Sequence, residues 1–494
     1  MKNRNSGTGS FCQTTTAAMI VVLMMCVCSC QSKAARPNIV VIIGDDISVD
    51  DFGCYGNPNI RTPNVDKLAA NGLRLNNAYL TISQCSPTRC SIMTSRYPHN
   101  TGAPELHIPL PKGQIMFPQL LKESGYYTLS AGKWHMGEYA RHAFDKIYGG
   151  GAGGEEKWLD SLKGRPMDNP FFMWFAAYDA HRSWDDKIQL KRHKPADVII
   201  PPYMVDTPEV RQDLVQYYDE VQRLDRCTGE VVAELKKQGV LDNTIIIFMA
   251  DNGRPFVRSK VRLNDSGIKT PFIVHWPAGI KHNGQTSDSL VSVIDIAPTI
   301  LEIAGLKSPE TFQGVSFSKL LNDPKASIRQ YVFAEHNWHT QIAHERMVRH
   351  GNYVYIRNAH PQLPQTIALK SARPNLSQLR ELAKANKLTH AQLDPLLAPR
   401  PPEELFNVAN DYHQINNLAA NPEFSAVLNN LRKVMDQWQK QTGDTTPSLK
   451  EATPDRQDRK TGKRLTKKRG MRPIDGVVPG ETSGAEKINA PGPR

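Results

Sequence analysis

The sequence predicts an α/β protein with a large central, mostly parallel sheet and a smaller antiparallel sheet towards the C-terminus. Uninterrupted apolar runs at 39–43 and 245–249 are typical of parallel strands buried on both faces. Helical segments alternate with such runs; one of them, 62–72, has Pro near its start and Gly at its end. The stretch 347–357 instead alternates apolar and polar residues, as a strand exposed on one face does.

Length and composition predict the domain organisation. A chain of 494 residues exceeds the usual size of one core, which predicts a large domain over 36–330, a smaller subdomain over 331–442 and a loosely ordered basic tail over 443–494. The hydrophobic content of 39% excludes a disordered or fibrous protein. The net charge of +12 fits an anionic partner, whether a polyanionic glycan, a nucleic acid or a membrane surface.

The N-terminus, 1–30, is predicted to be a signal peptide. Lys2 and Arg4 precede an apolar run that is too short to span a membrane comfortably. The sequence Val27-Cys28-Ser29-Cys30 resembles a bacterial lipoprotein box in which Cys30 would carry a lipid anchor to the membrane, and ordinary cleavage nearby is the alternative. Both interpretations predict an exported protein, either a periplasmic or cell-surface lipoprotein or a secreted one.

The predicted strands 39–43 and 245–249 both lead into acidic pairs. The first is followed by Asp45 and Asp46, and the second by Asp251 and Asn252. Adjacent carboxylates repel each other unless a cation binds between them, although an acidic pair can also be a solvated loop. Because ligands bind at the carboxyl ends of strands in open α/β sheets, we expect these four oxygen-bearing side chains to hold a hard divalent cation.

A thiol and an arginine lie four residues apart in the segment 83–96. Pro87 ends any helix before it, so the sequence predicts a helix over 88–96 with Cys85 just outside its N-terminus, where backbone N–H groups favour an anion. A buried structural cysteine, or a disulfide between Cys85 and Cys90, is the alternative.

The motif Cys85-x-Pro87-x-Arg89, followed by 96–102, resembles the signature of the type I sulfatases. In that family a formylglycine-generating enzyme oxidises the cysteine to formylglycine (3-oxoalanine), whose hydrated aldehyde is the nucleophile. The resemblance implies that Cys85 is so modified and that Arg89 belongs to the catalytic site. Ser95 stands where the family usually has Gly, which affects helix packing more than the reacting residue.

Two further catalytic residues are implied by the family's Gly-Lys-Trp-His motif, which is intact after the strand predicted over 125–131. Lys133 and His135 are two residues apart, so both can point the same way from an extended segment. The resemblance implies that they contact the nucleophile and the sulfate. Without it, each would be interpreted as a surface residue.

The apolar run 169–177 leads into an Asp-x-His segment similar to that of the family. The resemblance implies that His181 protonates the leaving oxygen or nitrogen and that Lys260 is a catalytic cation. Arg182 and Trp184 follow His181 and are expected to bind substrate.

In the predicted C-terminal subdomain, 333–339 combines a strand with His336 and His339. We expect both histidines to line the substrate pocket, and ordinary surface positions are the alternative. The segment 404–408 resembles the family's Glu-Leu-Tyr-Asp-Leu, and a helix near 422–440 is expected to pack on it.

The resemblance covers about 37–305 and resumes near the C-terminus. It implies an alkaline-phosphatase-like α/β/α sandwich, a catalytic domain over 36–330 and one Ca²⁺ ion held by the acidic strand ends and residue 85. It also implies a sulfuric ester hydrolase acting on sulfate esters or N-sulfates of a sulfated polysaccharide, with no nucleic acid as partner. The segments 201–208 and 251–256 resemble the sulfamidase (N-sulfoglucosamine sulfohydrolase) subgroup, whereas 264–271 departs from the family's Glu-Gly-Gly-x-Arg-x-Pro.

Two other functions fit part of this pattern. A phosphoric ester hydrolase of the same superfamily would share the metal-binding strands, but those relatives have Ser, Thr or an added metal site at position 85. A non-catalytic sulfoglycan-binding protein would keep Cys85 as a thiol. The proton donors at Lys133, His135, His181 and Lys260 argue against it, because binding alone does not require them.

Overall fold

The computed structural model describes residues 36–151, 153–184, 190, 192–337, 339, 343–363, 373–446 and 484–494. The predicted signal peptide with Cys30 lies outside the described residues, and so does 447–483 of the predicted tail. In the part of the chain that is described, no helix is both long and apolar enough to cross a membrane.

The large sheet confirms the predicted fold class. Its strands are β1 (Asn38–Gly44), β2 (Leu73–Tyr79), β3 (Tyr127–Gly132), β4 (Lys146–Tyr148), β5 (Phe171–Ala176), β6 (Thr244–Ala250), β7 (Phe272–His275) and β8 (Gln285–Ser292). Their order across the sheet is β4-β3-β5-β1-β6-β7-β2-β8. Neighbouring strands run parallel, except that β7 is antiparallel to both β6 and β2.

The sheet is buried on both faces, as the apolar runs predict. In β1, Ile39, Val41 and Ile43 belong to one apolar cluster, while Val40 and Ile42 belong to another. The helices are α1 (Pro63–Ala70), α2 (Cys85–Thr94), α3 (Pro98–Thr101), α4 (Phe117–Glu123), α5 (Trp158–Lys163), α6 (Pro208–Lys237), α7 (Asp265–Ile268), α8 (Ile296–Ile303), α9 (Arg373–Lys384), α10 (His390–Leu393) and α11 (Ser425–Thr442). Helices α2, α4 and α8 contribute to the first cluster and α1, α5 and α6 to the second, which completes a three-layer sandwich.

A second, antiparallel sheet follows in the C-terminal part. Its strands are β9 (Val332–His336), β10 (Glu345–His350), β11 (Tyr353–Asn358) and β12 (Glu403–Asn407), in the order β12-β11-β10-β9. The prediction of a single strand over 347–357 is wrong, because the chain reverses at Gly351, whose φ of 53° suits glycine, and β10 pairs with β11. Trp438 of α11 stacks on Phe333 of β9, with ring centroids 4.9 Å apart.

The last described residues, 484–494, pack against the segment that follows α2. Arg96, which is buried, donates to the carbonyl of Ile488 at 2.8 Å, and Asn100 donates to the carbonyl of Ala485 at 2.7 Å. This part of the predicted tail is therefore packed against the protein.

Candidate active site

Three carboxylates and a thiol meet at the carboxyl ends of β1 and β6. These two strands pair in parallel up to their last residues, so the residues that follow them come level with each other. Ligand atoms of Asp45, Asp46, Asp251 and Cys85 lie within 4.8 Å of one another, and all four residues are buried. The structure thus brings together both acidic strand ends and the predicted nucleophile.

The donor atoms of this cluster fit a hard divalent cation. Asn252 donates from Nδ2 to Asp46, and its buried Oδ1 has no hydrogen-bond partner among the described residues. Asp46 has a left-handed φ of 60°, a strained conformation for a residue other than Gly, and its N–H donates to Asp251 Oδ1 at 3.4 Å. Mutually repelling carboxylates beside a free amide oxygen form the all-oxygen set that Ca²⁺ or Mg²⁺ prefers.

Cys85 is the first residue of α2, so the prediction that it lies just outside a helix beginning at residue 88 is wrong. Pro87 occupies the first turn, where its missing N–H costs nothing because no helical carbonyl precedes it. The Cys85 Sγ lies 3.4 Å from Asp45 Oδ1 and 3.8 Å from Asp46 Oδ1. Burial and the negative charge of Asp45 raise the pKa of the thiol. Cys85 and Cys90 are both free thiols, which excludes the alternative disulfide.

Three buried cations surround the carboxylates. Arg89 donates to Asp251 Oδ2 from Nε at 2.9 Å and from Nη2 at 2.7 Å, and Lys133 forms an ion pair with Asp45. The Lys260 Nζ lies 2.7 Å from Asp46 Oδ2 and 3.5 Å from the thiol sulfur.

The charges of these cations and carboxylates shift one another's pKa values. Burial opposes the charged form of Lys260, but the charge of Asp46 raises the pKa of this lysine. Burial likewise disfavours ionised Asp46, yet the charge of Lys260 lowers the pKa of that carboxyl group. Both side chains are therefore charged at neutral pH.

The two predicted catalytic histidines differ in exposure and surroundings. The His181 Nε2 is 4.0 Å from Asp46 Oδ2, and 42% of the His181 side chain is exposed. His135 lies three residues after the end of β3 and has a φ of 56°, so the extended segment predicted there is wrong. Burial and the positive charge of Lys133 hold the pKa of His135 well below its ordinary value, which keeps the imidazole neutral.

The four predicted substrate-binding residues have different surroundings. Asp213 of α6 accepts hydrogen bonds from Arg182 at 2.7 Å and from Trp184 at 2.6 Å, so both side chains already have a hydrogen-bond partner in the protein. The His336 Nδ1 contacts Glu345 Oε2 at 2.8 Å. His339 is buried: burial and the charge of Lys260 lower its pKa well below the ordinary value, and its Nδ1 is unpartnered among the described residues.

His107 belongs to the same region but is absent from the sequence-based prediction. Its N–H donates to Ser86 Oγ at 2.9 Å, and its ring centroid lies 5.0 Å from that of His135. His107 also has a left-handed φ, of 67°. Nothing in the local pattern of the sequence signals that conformation, because it depends on contacts with α2.

Arg223 of α6 is a second residue that the sequence analysis missed. Its Nε donates to Asp179 Oδ2 at 2.5 Å, and both side chains are buried. The main chain of Asp179 pairs with Asp45: the Asp45 N–H donates to the Asp179 carbonyl at 2.7 Å, and the Ala180 N–H donates to the Asp45 carbonyl at 2.6 Å. Arg223 thereby fixes Asp179 and Ala180, which hydrogen-bond to the main chain of Asp45 and directly precede His181.

Replacing Arg223 by glutamine is expected to lower kcat about tenfold, because His181 and Asp45 lose a fixed common support. It should also lower the free energy of unfolding by about 3 kcal/mol, since Asp179 would remain buried without its counter-charge. Steady-state kinetics and urea unfolding measure the two effects. The matched control is Arg226→Gln on the same helix, because Arg226 forms an exposed pair with Glu230. Equal behaviour of the two variants would contradict the prediction.

Comparison with known proteins agrees with this geometry. The sulfatase family model matches residues 37–306, and the model for the C-terminal part of N-sulphoglucosamine sulphohydrolase matches 258–389. Human N-sulphoglucosamine sulphohydrolase is 30% identical over 483 residues, which cover 86% of this chain and 93% of that protein. An ulvan-active sulfatase of Formosa agariphila is 30% identical over 424 residues, covering 83% of this chain and 81% of that protein.

The fold also recurs in a protein solved in complex with its substrate D-glucosamine-2-N,6-O-disulfate. The TM-score is 0.65 at 20% sequence identity, over 84% of this chain and 100% of that chain. An alkaline-phosphatase-like sandwich whose acidic strand ends face a Cys-x-Pro-x-Arg helix defines a hydrolase of anionic esters. The chain belongs to the sulfatase family, as its signature motif predicts, and is a sulfuric ester hydrolase.

Proposed function

We propose that this protein hydrolyses sulfate esters or N-sulfates of a sulfated polysaccharide or its oligosaccharides. The nucleophile is a hydrated formylglycine made from Cys85 by a formylglycine-generating enzyme. The observation that carries the proposal is the contact of the Cys85 sulfur, the atom that conversion replaces by oxygen, with Asp45 and Asp46.

One calcium ion is the proposed cofactor, held by Asp45, Asp46, Asp251, Asn252 and the oxygens of modified residue 85. When bound, this cation would polarise the attacking hydroxyl and draw the sulfate into place. Three carboxylates are matched in charge by Arg89, Lys133 and Lys260, so a divalent cation leaves the pocket net positive. That sign suits a sulfate group whose negative charge grows in the transition state.

In the first step, one hydroxyl of residue 85 gives its proton to the adjacent Asp45 carboxylate, and its oxygen forms a bond to sulfur while the bond from sulfur to the glycan oxygen or nitrogen breaks. His181, with Lys260 nearby, gives a proton to the departing atom. His181 suits this role because 42% of its side chain is exposed while its Nε2 lies 4.0 Å from Asp46 Oδ2. The products of this step are the desulfated sugar and a sulfate ester on residue 85.

In the second step, His135 takes the proton from the remaining hydroxyl of residue 85. The aldehyde carbonyl re-forms, the carbon–oxygen bond to the sulfate breaks, and sulfate leaves. Water then hydrates the aldehyde again. Burial and the Lys133 charge keep the His135 imidazole neutral, and a neutral imidazole has a free nitrogen that can accept a proton.

A sulfated glycan is the substrate class favoured by the family and by the net charge. The related proteins named above are a sulfohydrolase of N-sulphoglucosamine and an ulvan-active sulfatase, so both N-sulfated and O-sulfated sugars are candidates. The match of 258–389 to a model of the sulphohydrolase C-terminal part supports an N-sulfated sugar. Because pocket chemistry can change within one fold, sulfate release from matched N-sulfated and O-sulfated saccharides decides between them.

The peptide that contains Cys85 tests the proposal directly. We expect mass spectrometry of the protein, produced together with a formylglycine-generating enzyme, to find an aldehyde at this position that reacts with a hydrazide. Protein produced in the absence of that enzyme is the control and should keep a thiol at position 85. A protein that carries the aldehyde yet releases no sulfate from any sulfated saccharide would contradict the proposed function.

Residue 85 and its neighbours argue against both other candidate functions. A phosphoric ester hydrolase of this superfamily would need Ser, Thr or a further metal site where Cys85 lies. A binding protein with unconverted Cys85 would not need proton donors beside the thiol. A phosphate monoester series and a binding assay on the unconverted protein test these alternatives.

The proposed site of action is outside the cytoplasm. The sequence 1–30 carries the expected signal peptide, and lipidation of Cys30 would anchor the protein to a membrane, whereas cleavage nearby would release it into the periplasm or medium. Metabolic labelling with a fatty acid separates these outcomes. A polysaccharide substrate is accessible in either location.

A further inference from the structure

A second cleft lies beside the segment 49–56, which continues from the acidic end of β1. It is open to solvent and has a volume of about 420 Å³. Two basic side chains, Arg74 and Lys269, line it together with the aromatic rings of Tyr55 and Tyr412. Tyr412 is 53% exposed, so part of this aromatic residue is accessible to a ligand.

Lys269 supplies a charge that forms no direct pair within the described residues. Its ammonium group makes no hydrogen bond or ion pair with any of them, and burial lowers its pKa. Of the three carboxylates whose charge reaches it, Asp50 pairs with Arg254, Asp265 pairs with Arg349, and Asp288 accepts a hydrogen bond from Asn76 at 2.7 Å. A partly buried cation that is held by no ion pair favours binding of an anion.

Arg74 strengthens the preference of this cleft for anions. Its Nε donates to Asn76 at 3.2 Å, and its guanidinium carbon lies 5.2 Å from the centre of the Tyr55 ring. The Tyr55 hydroxyl holds the ring in place by donating to the Phe272 carbonyl at 3.0 Å. The guanidinium is therefore held in a fixed position on the cleft wall, which suits recognition of sulfate or carboxylate oxygens.

A short series of hydrogen bonds and chain connections links Lys269 in the cleft to Cys85. The Gly267 carbonyl accepts hydrogen bonds from Ser83 Oγ at 2.8 Å and from the Gly253 N–H at 2.9 Å. Ser83 is two residues before Cys85, and Lys269 is two residues after Gly267. Chain dimensions therefore limit the separation of the Cys85 and Lys269 Cα atoms to roughly 20 Å.

We propose that the Arg74–Lys269 cleft binds a second anionic group, a sulfate or carboxylate, of the same glycan whose sulfate ester reacts at residue 85. The inference rests on the proposed function and extends it: the substrate is an oligosaccharide with at least two anionic groups. The exposed Tyr412 ring offers an apolar surface for the sugar that carries the second group.

Lys269→Gln tests this inference with two substrates, a sulfated oligosaccharide and the sulfated monosaccharide with the same reacting sugar. We expect the KM for the oligosaccharide to rise about tenfold while its kcat stays unchanged, because one charge-assisted contact is lost away from the reacting atoms. The monosaccharide should keep its KM. Equal changes for both substrates, or none for either, would overturn the inference.

Binding measurements separate this inference from the proposed function. Calorimetry with the oligosaccharide and protein in which Cys85 is unconverted should show weaker binding to Lys269→Gln, whether or not the natural protein turns the sugar over. Lys307→Gln, an exposed lysine elsewhere, is the matched control and should bind as the unaltered protein does. If Lys269→Gln loses only its binding of inorganic sulfate and keeps that of the oligosaccharide, the cleft takes free anions and the glycan assignment fails. Arg74→Gln should repeat the Lys269 result in any preparation whose thermal unfolding is unchanged.

Discussion

Replacing Cys85 by alanine is expected to lower sulfate release by about 10⁴-fold or more, because no other side chain in the cluster can become the nucleophile. The surrounding carboxylates are held by Arg89, Lys133 and Lys260 and are poor nucleophiles in those pairs. Initial rates with a sulfated saccharide measure the loss. The variant should remain folded, because removing one buried sulfur typically costs only about 1 kcal/mol of unfolding free energy.

Cys90 provides the matched control for this experiment. It lies on the same helix, is fully buried, and packs in the apolar cluster that includes β1. Cys90→Ala should lower the free energy of unfolding by about 1–2 kcal/mol and leave kcat close to that of the unaltered protein. Sulfate release by the Cys85→Ala protein at the rate of the unaltered protein would show that residue 85 is not the nucleophile.

Replacing Asp251 by asparagine is expected to have the second largest effect. This carboxylate accepts two hydrogen bonds from Arg89 and belongs to the cluster that fits a cation, and both side chains are completely buried. Its loss leaves a buried guanidinium without a counter-charge, which should lower the free energy of unfolding by about 3–5 kcal/mol. Sulfate release should fall by at least about 10²-fold.

Calcium titration followed by thermal unfolding separates the two roles of Asp251. Calcium should raise the Tm of the unaltered protein, because a ligand that binds only the folded state stabilises it, and it should have little effect on Asp251→Asn. Asp160→Asn is the control, since Asp160 forms only an exposed pair with Lys157 at 3.7 Å, worth at most about 1 kcal/mol. An unchanged calcium response in Asp251→Asn would exclude this residue from the cation site.

The sequence was most informative where a pattern is local. Apolar runs followed by acidic residues predicted β1 and β6, and the shared direction of parallel strands predicted that Asp45, Asp46, Asp251 and Asn252 would meet. The first turn of α2 was misjudged because Pro87 was interpreted as a barrier before a helix, although proline fits within the first turn. The hairpin of β10 and β11 was missed because its alternating pattern continues through the turn.

Long-range pairs could not be predicted in the same way. Arg223 and Asp179 are 44 residues apart in the sequence. Each of them, considered alone, would be interpreted as an ordinary charged surface residue. The pairing of Arg182 with Asp213 was likewise not predicted, because it depends on how α6 packs. Such partners depend on how helices pack on the sheet, which residue spacing along the chain does not specify.

The contact between 484–494 and the segment after α2 has a consequence for the order in which the protein is completed. A ribosome makes the Cys-x-Pro-x-Arg motif long before the carbonyls that receive the Arg96 and Asn100 hydrogen bonds, which lie 392 and 385 residues further along the chain. During that interval the region around Cys85 lacks these tertiary contacts. Under the proposed modification of Cys85, this interval is when the thiol would be accessible to a modifying enzyme, before folding buries it.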